Sequence, residues 1–271
     1  NLDFQRQIMR DNKKGMILAV DIGNSNIVIG CIDDNKIFFE ENIETSIRKT
    51  KLEYAIILKT LFELNDISPE DVDGAIISSV VPPLTNVIKS AITMTTDIDP
   101  LVIGPGIKSG IAIKMDDPRT VGSDLIATAA GAADEYGAPV IIIDIGTATT
   151  ITMVDDSKAY IGGVIMPGAQ VSVDSLASRT AQLPRISIEA PERIIGKNTI
   201  GSMQSGIIYG NASCIDGMID RFVEEIGIKE PITVVATGGL SKIIVPHCKK
   251  DIIIDQDLLL KGLRIIYNKN I

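Results

Sequence analysis

The chain of 271 residues is 45% hydrophobic with a mean hydropathy of +0.25, so it can bury one large or two ordinary hydrophobic cores. Its 35 acidic and 26 basic side chains give a net charge of −9 and a pI near 4.7, which argues against nucleic acid or an anionic membrane as a partner, because both bind basic surfaces. The three cysteines are far apart in the sequence, so neither a disulfide framework nor a zinc site is expected. The chain has one histidine, which argues against a Ser-His-Asp triad, and we therefore expect carboxylates to act as acids and bases.

The cysteine usage and the absence of long apolar runs predict a cytoplasmic protein. No apolar run reaches about 18 residues, and the N-terminal stretch lacks the apolar segment of a signal peptide. Residues 1–15 are polar and precede a plausible start at Met16, so we expect them to be an extension, native or left from cloning, outside the fold.

The first half of the chain predicts three antiparallel strands and then alternating helices and strands. Apolar spacing indicates each element, and glycines and prolines mark the ends. The predicted elements are a hairpin in residues 17–30, a strand at 36–43, a helix at 50–64, a short helix beginning at 68–71, a strand at 74–81, a helix at 84–96 and a short strand at 101–103. The predicted order is βββαβαβ.

A glycine- and proline-rich stretch, residues 104–122, interrupts this pattern. It predicts a loop with one short strand, most simply an interdomain linker. Its glycines do not have the G-x-G-x-x-G spacing, so no dinucleotide-binding fingerprint is present. After it, Ser123 is expected to cap a helix at 124–136, which Gly137 ends.

The second half repeats the plan of the first. Strands are predicted at 139–145, 148–154 and 159–165, a helix at 170–178, a long helix at 201–226, strands at 232–236 and 252–254, and a helix at 257–267. A glycine pair, Gly238 and Gly239, follows the strand at 232–236. The pattern predicts an α/β chain of two similar domains, residues 16–122 and 123–271.

A short sequence at the end of an apolar strand occurs twice, and we expect the chemistry there. Asp21-Ile22-Gly23 and Asp144-Ile145-Gly146 stand 123 positions apart, each between two apolar strands. A carboxylate at the end of a buried strand can hold a metal or a water, and glycine lets the following amides approach a phosphate oxygen. Asp-x-Gly is also common in ordinary hairpin turns, but two copies at this separation favour a duplicated phosphate-binding fold.

Two such hairpins are the pattern of the sugar kinase, heat-shock ATPase and actin superfamily, which the chain resembles. The resemblance implies two ribonuclease H-like, or actin-like ATPase, domains related by duplication, with an active-site cleft between them. It also implies that Gly238 and Gly239 lie against adenosine, because only glycine lets a base or ribose pack on the backbone. Without the resemblance, a glycine pair after a strand is an ordinary turn.

An ordered set of motifs resembles the type III pantothenate kinases over residues 16–267. The motifs are DIGNSN at Asp21, SSVVPP at Ser78, GPGIKSG at Gly104, DDPRTVGSD at Asp116, DIGTATT at Asp144, GGVIMPG at Gly162, RTAQLPRI at Arg179, IIGKNTIGSMQSG at Ile194 and ATGGL at Ala236. The resemblance implies ATP-dependent phosphorylation of pantothenate to 4′-phosphopantothenate, the first step of coenzyme A biosynthesis, with Mg²⁺ and a potassium or ammonium ion. It also implies a homodimer with its site near the subunit interface.

The resemblance assigns a role to the residues that match family motifs. ATP is expected at the first turn, which comprises Asp21, Ile22, Gly23, Asn24, Ser25, Asn26, Ile27 and Val28, and at Thr147 of the second. Mg²⁺ is expected near Asp21 and the monovalent cation at Asp144. The substrate is expected at Gly122, Ser123, Asp124, Leu125 and Thr199, with Asp124 as the general base.

Asp124 has a location that suits a base. It lies in the first turn of the predicted helix, where the helix dipole and free amides favour the carboxylate form. We therefore expect it to be ionised at neutral pH and able to take the proton of a substrate hydroxyl. Without the resemblance, a carboxylate that only decorates a helix start is the simpler interpretation.

The chain departs from the family's usual sequence at two places. The usual G-A-D-R substrate motif is G-S-D-L here, so at Leu125 an arginine that could meet the pantothenate carboxylate is missing, and Met115 stands where an aromatic residue is frequent. The candidate substitutes for the arginine are Arg119, Arg179 and Lys197. Two alternatives stay open: a kinase of the same fold for another small hydroxylated acid or sugar, and an inactive paralogue with a regulatory role.

Overall fold

The computed structural model describes residues 15–227 and 232–271. The expected N-terminal extension lies outside this part of the chain, apart from Gly15. The described residues form two compact units. Unit 1 comprises residues 15–110, Arg119–Gly131 and Leu259–Ile271, and unit 2 comprises Ile111–Pro118 and the described part of 132–258. Within the described ranges, no helix has the length and apolar character needed to cross a membrane.

The secondary structure follows the predicted order of elements. The strands are β1 (Ile17–Ile22), β2 (Asn26–Ile32), β3 (Ile37–Glu44), β4 (Gly74–Ser79), β5 (Leu101–Val102), β6 (Ala112–Ile113), β7 (Val140–Ile145), β8 (Ala148–Val154), β9 (Ala159–Pro167), β10 (Thr233–Thr237) and β11 (Ile253–Ile254). The helices are α1 (Lys51–Leu64), α2 (Pro82–Thr96), α3 (Ser123–Glu135), α4 (Ala169–Arg179), α5 (Thr199–Ile226), α6 (Ser241–Ile244) and α7 (Leu258–Asn268). The predicted boundaries lie within two residues of these, and the short helix expected from Ser68 is a single 3₁₀ turn, Pro69–Asp71.

Local chemistry explains where the first helices begin. At the start of α1 the Thr50 hydroxyl accepts the N–H of Glu53 at 3.4 Å, and the Glu53 carboxylate accepts the N–H of Thr50 at 2.7 Å, which is a capping box. Helix α2 begins at Pro82, two residues earlier than predicted. Proline is tolerated in the first turn of a helix, because the backbone N–H groups there have no partner within the helix and the missing N–H of proline costs nothing.

Unit 1 is built on a sheet in the order β3-β2-β1-β4-β5. Strand β2 is antiparallel to β1 and β3, whereas β4 is parallel to β1 and β5 is parallel to β4. The central strand β1 is buried on both faces: side chains at even positions, such as Leu18, pack with α1 and α2, and those at odd positions, such as Ile17, pack with α3 and α7. This burial accounts for the unbroken apolar run of β1 that ends in Asp21.

The C-terminal helix α7 belongs to unit 1, although it follows unit 2 in the chain. Two glycines make room for it: a Cβ at Gly30 would lie 2.5 Å from Leu260 Cδ1, and a Cβ at Gly262 would overlap a carbonyl oxygen of α3. Arg264 Nε also donates to Asp34 Oδ1 at 3.0 Å. Each unit is therefore made of segments that are separated along the chain. The predicted domains, residues 16–122 and 123–271, stay a prediction.

Unit 2 repeats the sheet of unit 1 and adds one strand. Its order is β11-β10-β7-β8-β9-β6, so β7 to β11 correspond to β1 to β5. Strand β8 is antiparallel to β7 and β9, β10 is parallel to β7, and β11 is parallel to β10. The short strand predicted within residues 104–122 is β6, which pairs in parallel with β9. The two Asp-Ile-Gly turns lie at equivalent ends of β1 and β7, which confirms the predicted duplication.

Candidate active site

The first Asp-Ile-Gly turn connects β1 and β2 in unit 1. Residues 23–26 form it, between the last paired residues of the hairpin. The N–H of Gly23 donates to the carbonyl of Asn26 at 3.0 Å, and a Cβ at Gly23 would lie 2.8 Å from that oxygen, so the turn needs glycine here. Beyond β3, the Thr45 hydroxyl donates to the Gly23 carbonyl at 2.7 Å. The turn is therefore held by the segment that follows β3, while the side chains of residues 24–26 are exposed.

The carboxylate of Asp21, at the end of β1, is buried and bonded to the adjacent strand. Ser78 on β4 is fully buried, and its hydroxyl donates to Asp21 Oδ1 at 2.5 Å. Ser78 Oγ also lies 2.9 Å from Ser123 Oγ, at the first residue of α3. Ser123 Oγ accepts the N–H of Ser79 at 2.9 Å. Hydroxyl groups thus join β1, β4 and α3 beside the first turn.

The start of α3 differs from the prediction. Ser123 is the first residue of the helix rather than its cap, because β4 occupies its hydroxyl. The first helical carbonyl is that of Gly122, which accepts the N–H of Ile126 at 3.1 Å. The Asp124 carboxylate folds back and accepts the N–H groups of Asp124 itself and of Leu125. A Cβ at Gly122 would overlap Asp124 Oδ1, so glycine leaves the space in which that carboxylate lies.

The half-buried location of Asp124 changes its acidity. Burial raises the pKa of Asp124 above its usual value, and the two backbone N–H groups only partly oppose this rise. The stabilisation of the anion expected from the helix start is therefore present but is smaller than the effect of burial. A raised pKa increases the proton affinity of the carboxylate, which favours a general base.

The second Asp-Ile-Gly turn connects β7 and β8 in unit 2 and is one residue shorter. Residues 146–148 form it, and the N–H of Gly146 donates to the carbonyl of Ala148 at 3.0 Å. The Thr147 side chain is exposed at the tip, and the Thr147 carbonyl accepts the N–H of Gly168, before α4, at 3.1 Å. The predicted ATP contact at Thr147 therefore projects from a turn that α4 holds in place.

Asp144 is the last residue but one of β7 and lies beside the glycine pair that follows β10. Thr237, the last residue of β10, pairs with Asp144 across the sheet. A Cβ at Gly238 would overlap Asp144 Oδ1 and would lie 2.7 Å from the nitrogen of Ile145, and the φ of Gly238 is +88°. Glycine is required at position 238 for two reasons: the backbone lies too close to Asp144 and Ile145 for a side chain, and its φ is in the left-handed region. The turn after β10 therefore packs directly on the half-buried Asp144.

A side chain beyond β11 supports the same turn. Gln256 Nε2 donates to Ser241 Oγ at 2.6 Å and to the Gly238 carbonyl at 3.3 Å. The neighbouring Asp255 is buried, and its carboxylate accepts the Tyr136 hydroxyl at 2.8 Å. Burial and this hydrogen bond raise the pKa of Tyr136, so the tyrosine stays a proton donor to Asp255. The Gln256 side chain thus connects the turn at Gly238 to the start of α6 at Ser241.

Thr199, the remaining predicted substrate contact, lies elsewhere in unit 2. It is the first residue of α5, whose cap Asn198 accepts the N–H of Gly201 at 2.8 Å. The start of α5 and the end of α4 border a surface cavity of about 750 Å³. Its lining includes Leu176, Leu183, Lys197, Thr199 and Met203. Neither Asp144 nor Thr147 is among the described lining residues, so the structure does not bring Thr199 and the second turn into one cavity.

Comparison with known proteins decides the family. The sequence profile described as type III pantothenate kinase matches residues 17–221. The type III pantothenate kinase of Halalkalibacterium halodurans is 43% identical over 256 residues, which cover 94% of this chain and 100% of that protein. The enzyme of Bacillus cytotoxicus is 44% identical over 255 residues, which cover 94% of this chain and 97% of that protein. The enzyme of an Exiguobacterium species is 42% identical over 255 residues, which cover 94% of this chain and 99% of that protein. The chain belongs to the type III pantothenate kinase family.

Solved structures show the fold of this pantothenate kinase. A protein described as a 2-dehydro-3-deoxygalactonokinase, from Sinorhizobium meliloti, aligns over 93% of this chain and 96% of its own at 12% identity, with a TM-score of 0.58. A protein described as a Baf family transcriptional activator, from Campylobacter jejuni, aligns over 94% and 98% at 17% identity, with a TM-score of 0.54. At such identities they show the fold alone, a two-part α/β fold of the sugar kinase and actin-like type, as the repeated turn predicted.

The two departures of this pantothenate kinase from the family motifs lie in different units. Leu125 is half-buried on α3 in unit 1. Met115 is half-buried in unit 2, with its sulfur 3.2 Å from where a Cβ of Gly162 would lie. The candidate cations are all exposed: Arg119 precedes α3, Arg179 ends α4 and Lys197 lines the cavity at Thr199. Lys197 therefore shares a cavity wall with a predicted substrate contact.

Two contributors to this arrangement were not predicted as functional residues. Ser78 was visible only as part of the SSVVPP motif, although a serine pair at the end of a buried strand is a signal that could have indicated it. Gln256 has no such signal, because its position beneath the Gly238 turn depends on the pairing of β10 with β11.

Proposed function

We propose that this type III pantothenate kinase transfers the terminal phosphoryl group of ATP to the hydroxyl of pantothenate with Asp124 as the general base. The family gives the reaction, the first step of coenzyme A biosynthesis. The observation that carries the role of Asp124 is its half-buried carboxylate at the start of α3. It stands next to Ser123, which is bonded through Ser78 to Asp21 at the first turn. A proton acceptor and a phosphate turn thus share one framework.

Asp124 acts on the substrate hydroxyl as a hydrogen-bond acceptor and then as a base. Phosphoryl transfer passes through a loose transition state, so the protein mainly aligns the reactants and neutralises charge. The Asp124 carboxylate orients the hydroxyl, takes its proton as the oxygen–phosphorus bond forms, and ADP leaves with the electrons of the broken bond. The raised pKa of Asp124 supports this role, because it increases the driving force for proton uptake.

Asp21 is the proposed protein contact of the magnesium ion. Magnesium at ATP sites is commonly held by one or two carboxylates together with phosphates and water, and the buried Asp21 carboxylate beside the first turn fits such a site. When bound, Mg²⁺ neutralises phosphate charge. Ser78 fixes Asp21 Oδ1, and the exposed polar side chains and amides of residues 24–26 contact the phosphates.

The second turn and the glycine pair are the proposed site of the rest of the nucleotide. Thr147 donates from the exposed tip of its turn. A Cβ at Gly239 would meet no atom within 4 Å, so the backbone at the glycine pair offers an open surface for adenosine. Asp144, half-buried beside this surface, binds potassium or ammonium, because a cation there would reduce the repulsion between this carboxylate and the phosphates.

Lys197 is the proposed partner of the pantothenate carboxylate, in place of the arginine that is missing at Leu125. It lies on the wall of the cavity that contains Thr199, next to the N-terminus of the 28-residue helix α5. A helix N-terminus favours anions, and an ammonium group adds a formal positive charge. The combination suits a carboxylate.

A second copy of the chain is the proposed partner of the Thr199 region. Ile194, Ile195 and Ile200 surround Lys197 in sequence and are 64%, 78% and 51% exposed. Three exposed apolar side chains within seven residues of sequence favour an interface here. Light scattering after size exclusion should give the mass of a dimer, and Ile195→Glu should shift it toward the monomer, whereas a monomeric wild type at every concentration would contradict the proposal.

The cytoplasm is the proposed location of the enzyme. Cys31, Cys214 and Cys248 are all free thiols. Free cysteines suit a reducing compartment.

ADP release with and without pantothenate tests the proposed reaction. We expect release to depend on pantothenate. The second candidate function, phosphorylation of another small hydroxylated acid or sugar, is favoured by the missing arginine at Leu125, so a panel of such compounds belongs in the same assay. Release that occurs only with another acceptor would establish that function instead, and no release with any acceptor would point to an inactive paralogue.

A further inference from the structure

The hydroxyl groups between Asp21 and α3 form a continuous line of hydrogen bonds in the interior of unit 1. Ser78 is 0% exposed, Asp21 is 8% exposed and Ser123 is 9% exposed, so water competes little for these contacts. The distances are 2.9 Å from the Ser79 nitrogen to Ser123 Oγ, 2.9 Å from Ser123 Oγ to Ser78 Oγ, and 2.5 Å from Ser78 Oγ to Asp21 Oδ1.

Proton accounting gives this line one direction. Each serine hydroxyl has a single proton, and that of Ser78 is committed to the Asp21 carboxylate, the strongest acceptor nearby. Ser123 already accepts the N–H of Ser79, so its own proton points to Ser78 Oγ at 2.9 Å in preference to the Ser79 carbonyl at 3.3 Å. Every donor in the line is therefore oriented toward Asp21.

We propose that Ser123 and Ser78 are positioning residues, which fix the Asp21 carboxylate for the metal–nucleotide complex through this directed chain of hydrogen bonds. The inference rests on the proposed metal contact of Asp21. Hydrogen bonds that point the same way polarise one another in a site of low dielectric, so each strengthens the hold on the anion. Removal of the Ser123 hydroxyl should therefore affect the Asp21 carboxylate, to which it is connected through Ser78.

The same line of hydrogen bonds also connects Asp21, the proposed metal contact, with the helix that carries Asp124, the proposed base. Ser123 is the first residue of α3 and Asp124 is the second, so whatever fixes Ser123 against β4 also fixes the backbone that carries the Asp124 carboxylate. A carboxylate at the end of β1 and a base on α3 are far apart in sequence, and the two serines give them a common support in space. Small displacements of reacting groups are costly in catalysis, so this support matters for rate as well as for metal affinity.

Manganese binding in the presence of a non-hydrolysable ATP analogue, followed by electron paramagnetic resonance of free Mn²⁺, tests the proposal without turnover. Ser123→Ala should weaken Mn²⁺ binding about 3- to 10-fold, which is the loss of one neutral hydrogen bond. Ser78→Ala should weaken it about 10-fold or more, because its bond goes to a charged group. Ser123→Thr keeps the hydroxyl and should restore Mn²⁺ binding, whereas a merely structural role of the serine would not distinguish Ser123→Thr from Ser123→Ala in this assay.

Thr85→Val is a matched control. It removes a hydroxyl on α2 that donates to Ser79 Oγ at 2.8 Å, and this hydrogen bond is not part of the line that leads to Asp21. It should leave Mn²⁺ binding unchanged. Thermal unfolding of the free proteins checks the folds, and if Ser123→Ala does not fold, the comparison of Ser123→Thr with Ser78→Ala still decides. Unchanged binding in a folded Ser123→Ala or Ser78→Ala would overturn the proposal.

Asp21→Asn separates this inference from the function on which it rests. If Asp21→Asn binds Mn²⁺ as the wild type does, Asp21 is not a metal contact, and the proposal that the two serines position it for the metal fails with it. If Asp21→Asn loses Mn²⁺ while both serine variants keep it, only the positioning role fails. In the Asp21→Asn background, Ser123→Ala should have no further effect on Mn²⁺ binding, since it acts through that carboxylate.

Discussion

Asp124→Asn tests the proposed base most sharply. Asparagine has the size of aspartate, but its side chain cannot take up a proton at neutral pH. Turnover should therefore fall by about 100-fold or more, the usual contribution of a general base. The Michaelis constant for ATP should change little, because the proposed nucleotide contacts lie in the two turns and not at this carboxylate.

The fold of this variant should survive, because two opposing effects act at the start of α3. Asparagine has one acceptor oxygen where aspartate has two, so one of the N–H groups of Asp124 and Leu125 is held less well, at a cost of about 1 kcal/mol. Removal of the half-buried negative charge acts in the opposite direction, because burial disfavours the ionised carboxylate. Because the two effects oppose one another, we expect the variant to stay folded at pH 7 with a Tm close to that of the wild type.

The pH dependence separates the two effects. The pKa of Asp124 is raised in the folded protein above its unfolded value of about 3.9. Ionisation therefore costs folding free energy, and this cost grows as the pH rises from the unfolded to the folded pKa and is constant above it. Asp124→Asn should gain stability relative to the wild type across that window, and wild-type turnover should fall on acidification at a pH above the ordinary aspartate range.

Coupled ADP release and thermal unfolding, both followed between about pH 5 and 8, measure these quantities, in the range where stability is usually greatest. Asp134→Asn is the control, because Asp134 is an exposed aspartate on the same helix and should change neither turnover nor Tm. Near-native turnover of Asp124→Asn would refute the base. A loss of turnover together with a much lower Tm would make Asp124 a structural residue instead.

Three further predictions concern the cation, the substrate carboxylate and the nucleotide. Replacement of potassium by sodium should nearly abolish turnover, because the proposed site at Asp144 takes potassium or ammonium and not the smaller sodium ion, and equal rates in the two salts would contradict that role. Lys197→Ala should raise the Michaelis constant for pantothenate about 10- to 150-fold with little change in kcat, whereas Arg119→Ala and Arg179→Ala should not, and Leu125→Arg should lower it. No change in any of the alanine variants would assign the carboxylate to backbone amides and water. Gln256→Ala should raise the Michaelis constant for ATP and not that for pantothenate, because the Gly238 turn loses its support, and equal changes in both would indicate a general loosening of unit 2.

Much of the fold could be predicted because buried strands and helices each require a characteristic spacing of apolar residues along the sequence. Strand β1 is buried on both faces, so it reads as an unbroken apolar run, and the capping box at Thr50 and Glu53 marks the start of α1 within a few residues. The return of α7 to unit 1 could not be predicted. It depends on contacts such as that of Leu260 against Gly30, between residues more than 200 positions apart, for which no local rule exists.

The candidate site was predictable where its chemistry is local. The two Asp-Ile-Gly turns depend on neighbouring residues, and both form as hairpins. Ser123 was wrongly predicted as a cap, because the preference of serine for that position is a local rule, whereas a distant strand at Ser79 takes its hydroxyl. The acidity of Asp124 was incompletely predicted for the same reason, since the helix start is visible in the sequence and the extent of burial is not.

Transfer of label from γ-labelled ATP to pantothenate, with wild-type enzyme and Asp124→Asn side by side, measures the proposed reaction most directly. The wild type should give labelled phosphopantothenate and unlabelled ADP in equal amounts, and Asp124→Asn should give about 100-fold less of both in the same time. Label found only in inorganic phosphate or on another added acceptor, or equal yields from the two proteins, would contradict pantothenate phosphorylation with Asp124 as its base.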